Sequence, residues 1–253
     1  MYGFLFAEPL VDRLALRAHA REGLLGSPLI RACRAGDELA IRGLLKGFWP
    51  FVQAFERSID FQVKKLPLRP LIARFGQARI KRFVAEARSA LSEMRDEEGS
   101  HAALWLDGAI TIGLDLRRVE PVRSVQTLLD NAETPDPTEF FCWLAGTEYV
   151  AEELAAYLCR APAFLDSFPD RRWRWGEAHA MAHDGVSHLE IDEDLARAYH
   201  PGSDPVLVEV ALSAQIRRCH RLFAAAATDV LAKYRSETAT ASEGSMIAGN
   251  ATD

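Results

Sequence analysis

Apolar residues in this chain recur every three or four positions and almost never alternate one for one. Ile80, Phe83, Val84, Ala87, Leu91 and Met94 form one stripe, residues 48–63 and 140–158 form two more, and residues 206–234 form a long last one. That spacing predicts amphipathic helices. The lack of alternating Val/Ile/Thr runs and of Asn-Gly turns predicts no sheet. Helix starts are marked by side chains able to accept from free backbone N–H groups. Asp136 stands before Pro137 with Glu139 two residues further on, Ser203-Asp204-Pro205 repeats the device, and Ser187 with Glu190 forms a capping box that puts His188 in the first turn of its helix. Pro- and Gly-containing links fall at 66–70, 131–137, 160–170 and 200–205, and no internal repeat is found. The expected architecture is all-α: short elements followed by long helices packed as one bundle over residues 1–235. The small, polar stretch 236–253 is expected to be a disordered tail.

Composition narrows the class. The chain has 253 residues, 49% of them hydrophobic, enough for a sizeable core. Its formal charge of −6 argues against nucleic acid as a partner. No apolar run is long enough to span a membrane, and the N-terminus does not read as a secretory signal. Cys33, Cys142, Cys159 and Cys219 lie far apart with no CxxC, which reads as reduced, buried thiols in a cytoplasmic protein.

The chemistry lies where acids interrupt apolar stripes. Extending the Ile80 stripe past Met94 reaches Glu98, His101 and Trp105, so an acid and an imidazole continue the core face as Glu-x-x-His, while Glu97 falls elsewhere. The plain alternative is a helix that frays at Gly99, with Glu98 in water. In the stripe Phe141, Leu144, Glu148, Ala151, Ala155, Leu158 one acid replaces a hydrophobe; Glu152 is its fallback, and Glu153 reads as a surface charge. In Trp49, Val52, Glu56, Ile59, Val63 the acid is Glu56, with Asp60 as the alternative. A carboxylate on a core face needs a partner. That partner is either one of the 30 Lys and Arg residues or a metal.

A fourth segment, 174–200, holds four of the seven histidines. His179 and His183 are spaced i, i+4, and so are His188 and Asp192. Mixed carboxylate and imidazole donors suit iron or manganese better than a structural zinc. A ferritin-like plan would need a second Glu-x-x-His, which the chain lacks.

Glu98-x-x-His101, a later Glu148 and the run HLEID at 188–192 resemble the heme-oxygenase-like diiron oxidases, which share a fold with the TenA thiaminases and the PQQ-synthesis oxidase. The resemblance runs from about residue 47 to 234. It implies a heme-oxygenase-like bundle of seven to eight helices that holds two irons and activates O2. Residue by residue, it implies Glu98, His101, Glu148, His188, Asp192 and Glu56 as metal ligands. The family's third member of the last motif should be a histidine at position 195, where this chain has Leu195. Asp194, His183 or His179 would then substitute, and a second alignment uses His179 and His183 with His188 outside.

The activity the resemblance implies is non-heme diiron oxygenation of a small molecule, foremost N-oxygenation of an amine in natural-product biosynthesis. Oxidative decarboxylation or C–C cleavage of a fatty or amino acid by the same core is the alternative. An external electron donor belongs to that chemistry, and apolar helices with a small polar surface leave room for a homodimer. Trp143, Tyr149, Trp173 and Trp175 are candidates to line the pocket. Arg172 or Arg174 is a candidate to meet a substrate carboxylate. Two rivals come from other classes. One is a heme protein with His19 as axial ligand, and the other is a metal-free helical binding protein whose acids pair with arginines.

Overall fold

The computed structural model describes residues 4–6, 9–180 and 187–248, with side chains up to residue 237. Among the described residues there is no strand. Short helices come first: α1 (Arg13–Ala20), a π-helical turn (Arg21–Leu25), α2 (Pro28–Arg34) and α3 (Glu38–Gly47). The frame follows as α4 (Trp49–Val63), α5 (Leu68–Phe75), α6 (Gln77–Thr111), α7 (Arg123–Ala132) and α8 (Pro137–Leu158). Then come α9 (Pro162–Leu165), α10 (Arg174–Ala180), α11 (His188–Tyr199) and α12 (Pro205–Ala248). Twelve α-helices are described where seven to eight were expected, in part because α5 starts within, and α9 lies inside, stretches read as links. Each is a short turn set off by proline.

The start signals act as their chemistry requires. Asp136 accepts from the Thr138 N–H at 2.8 Å, and Ser187 and Glu190 close their reciprocal box. α6 does not fray at Gly99 but continues for 35 residues. Its buried face reads Ile80, Phe83, Ala87, Leu91, Met94, Glu98, Trp105, Ala109, so the acid does lie on the core stripe. Trp105 donates its indole N–H to the Leu45 carbonyl at 2.8 Å, tying α6 to the end of α3. α12 is helical from Pro205 to Ala248.

α8 is the central helix. It packs against α10, α11 and α12 and buries 17 of its 22 residues, so helical periodicity cannot separate its faces. Glu153, read as a surface charge, is buried and held by Arg17 and Arg21. α8 and α12 approach closely at Gly146, where an added Cβ would come 2.7 Å from Cys219 Cβ. No described helix is long and apolar enough to cross a membrane. Gly146→Val is expected to force these two helices apart and cost about 1–3 kcal/mol. A lowered urea midpoint with unchanged helical circular dichroism at zero urea would register it.

Candidate metal centre

α6, α8, α10 and α11 aim ligand-type side chains at one point. Donor atoms of Glu98, His101 and His179 lie within 4.8 Å of one another, and so do those of Glu98, Glu148 and His188. Glu98 is common to both sets. His101 Nδ1 sits 3.1 Å from Glu98 Oε1, as one helical turn permits. The His101 and His179 rings lie 4.1 Å apart, and the ring of Trp175 covers the other side of His179 at 3.9 Å. His179 Nδ1 is 3.0 Å from the Trp175 carbonyl. A carbonyl can only accept, so the proton sits on Nδ1 and Nε2 is left as a donor atom. Asp192, one turn beyond His188 on α11, is 0% exposed.

The electrostatics of this cluster differ from those of the other buried acids among the described residues. Glu193 is met by Arg13 and by the hydroxyl of Tyr149 at 2.7 Å. Asp194 accepts from the backbone N–H groups of Leu5 and Phe6 at 3.1 Å. Glu153 has its two arginines. Among the described residues no Lys or Arg pairs with Glu98, Glu148 or Asp192. Both oxygens of Asp192 are buried without a hydrogen-bond partner. Burial, with the charges of Glu98 and Asp192 behind it, holds the Glu148 carboxyl well above the usual carboxylate range. Burial, then Glu193 and Glu98, does the same to Asp192.

The other expected site residues fall outside this cluster. The buried face of α4 is Phe51, Phe55, Ile59 and Gln62, rotated from the expected one, so Glu56 sits half-buried beside it. Its carboxylate lies against Gly99, where a Cβ would meet Glu56 Oε2 at 3.0 Å. Asp60 is tied to Lys64 at 2.5 Å and Arg95 at 3.5 Å, and Glu152 to Arg17 at 2.5 Å. Asp194 is committed to the N-terminal segment. His183 lies outside the described residues. Leu195 is buried among Leu71, Phe83 and Leu91. His179 and His188, alternatives in the sequence, both reach Glu98.

Beside the donors is a cavity of about 60 Å³. Leu24, Leu44, Phe51, Phe55, Leu154 and Phe223 are among its apolar walls, and Glu98, Glu148, Thr147 and His179 supply its polar side. Trp175 lines it, with Trp105. Trp143 instead packs behind Phe51 and Phe55, and Tyr149 is turned to Glu193, because α8 carries them on faces away from the donors. Arg174 and Arg172 stand on an outer surface depression that also includes Asp107 and Asp170. Trp173 is buried against Trp105 and Phe164. His19 does not line the cavity; its Nδ1 is 3.2 Å from Nδ1 of the fully buried His220.

Sequence reasoning missed Glu97. It lies off the apolar stripe and is half exposed, yet its Oε2 is 3.1 Å from His188 Nε2. No local signal marks it, since the contact joins residues far apart in the chain.

No family model matches the sequence, and no curated protein matches it either. Among solved structures, a TenA homolog from Pseudomonas syringae pv. tomato superposes with a TM-score of 0.66 at 15% identity, covering 92% of this chain and 100% of the other. The chain thus has the all-α TenA-like fold.

Carboxyls whose folded value is raised keep a proton in the fold at pH values where the unfolded chain has lost it. They stabilise the metal-free protein below the ordinary carboxylate range, and that contribution is lost as pH rises through the folded value. Melting temperature of the metal-free protein is therefore expected to fall as pH rises from the ordinary carboxylate range through the raised folded values of Glu148 and Asp192. Asp192→Asn should flatten that slope and raise neutral-pH stability by about 1–3 kcal/mol, at about 2–4 °C per kcal/mol. Thermal melts across the pH range check both.

Proposed function

We propose that this TenA-like bundle is a non-heme diiron, O2-activating oxygenase acting on a small molecule with an apolar body. What carries the reading is Asp192: two orphaned carboxylate oxygens in a fully buried position, near Glu98 and Glu148, with no Lys or Arg among the described residues paired to any of the three. Buried acids in that state call for cations. Their donor chemistry, carboxylate plus imidazole and no thiolate, suits iron.

In this reading Glu98 lies between two sets of ligands. His101 and His179 would complete one ion's shell, with His179 taking the place that Leu195 vacates. Glu148, His188 and Asp192 would complete the other. Bound iron would supply O2 activation and one-electron chemistry. The chain's own residues orient the substrate and exclude water. Thr147 and the carboxylates face its reactive end, and the phenylalanine and leucine walls hold its apolar part. For an amine, one oxygen atom goes to nitrogen and the other leaves as water. An external donor supplies the two electrons and two protons that balance the step.

An amine is the first reading because no Lys or Arg among the described residues lines the cavity to recognise a substrate carboxylate. The apolar walls favour a second, oxidative decarboxylation or C–C cleavage of an alkyl acid whose carboxylate would sit on the metal.

Anaerobic loading with Fe(II) is expected to retain about two irons per chain. Glu98→Ala should lose both, and His179→Ala about one. A wild type that holds no iron after iron-supplemented expression and anaerobic loading sinks the reading. O2 uptake with alkylamines, giving products heavier by oxygen, separates the first reaction from release of CO2 from alkyl acids.

A further inference from the structure

We infer that Glu97 is a positioning residue: its carboxylate fixes the proton of His188 on Nε2 and so presents Nδ1 to the metal centre. The inference rests on the metal reading above. Glu97 Oε2 lies 3.1 Å from His188 Nε2, an ion-pair distance at which a carboxylate favours a proton on that nitrogen. On the other side, His188 Nδ1 is 3.9 Å from Glu148 Oε1. That is too long for a hydrogen bond. It is a spacing two ligands of one ion can take, since donors about 2.1 Å from the same ion lie no more than about 4.2 Å apart.

Two further features support the assignment. His188 opens α11 directly after its N-cap Ser187, so a carboxylate beside it also faces the positive end of that helix. The same device holds His179, whose Nδ1 is bonded to the Trp175 carbonyl. One histidine is thus oriented by backbone and the other by an acid from α6. Glu97 is 49% exposed by its side chain while His188 is 12% exposed, so the acid caps the centre from the solvent side. Adjacent residues on one helix have divided the work: Glu98 turns to the core, and Glu97, about 100° around the axis, reaches across to α11.

Glu97→Ala and Glu97→Gln in the full chain separate positioning from folding. In the metal-free wild type at alkaline pH, the imidazole nitrogen resonances of His188 are expected to show the proton on Nε2. Glu97→Ala should lose that preference and Glu97→Gln keep it, because the amide oxygen also accepts. Zn(II) titrated into the metal-free protein should bind one site of Glu97→Ala about 10–100-fold more weakly. The other site should be unchanged, and Glu97→Gln should fall between. A proton on Nδ1 in the wild type, or wild-type zinc affinity in Glu97→Ala, overturns the proposal. A wild type that binds no metal brings down the functional reading instead, while the tautomer still decides what Glu97 does.

Discussion

Three carboxylates placed in the interior with no Lys or Arg partner among the described residues are the constraint on which this structure turns. Taking one ionised carboxylate out of water costs several kcal/mol even after relaxation. The fold meets that cost elsewhere with arginines, a tyrosine hydroxyl or backbone N–H groups, at Glu153, Glu193 and Asp194. At Glu98, Glu148 and Asp192 it does not, and burial raises the carboxyls of Glu148 and Asp192 instead. A core this large can carry such a local deficit, and a deficit left at one point of an otherwise consistent structure is where function is expected.

The helices convert that deficit into a site. α6 runs unbroken through Gly99, which keeps Glu98 and His101 one turn apart on a rigid rod. α8, surrounded by its neighbours, presents Glu148 into the same space. α10 and α11 bring His179 and His188 to it, the first with Nδ1 3.0 Å from the Trp175 carbonyl and the second with Nε2 3.1 Å from Glu97. The apolar wall comes largely from other helices, through Leu24, Leu44, Phe51, Phe55 and Phe223. A fold shared at 15% identity supplies this frame but not its chemistry, which resides in the side chains named here.

Much of this was legible in the chain. Stripe spacing on α6 put Glu98 on the core face, and the structure keeps it there. Capping residues located the starts of α8 and α11. The reading failed where periodicity loses contrast or where two faces compete. On α8, buried nearly all round, Glu153 could not be told from Glu148. On α4 the core chose Phe51 and Phe55 over Trp49 and Val52, which moved Glu56 to the flank. Trp143 and Tyr149 were placed at the cavity on type alone, and packing turned them away from it.

Local spacing is enough to determine helix content, helix starts and which acids interrupt an apolar face, because those depend on residues three or four apart. Which acids lack a counter-charge, that His179 and His188 both reach Glu98, and that Glu97 turns to His188 were decided only by the tertiary structure. Those contacts join residues 81 to 91 positions apart, as their numbering shows, and no helical period carries information over that distance.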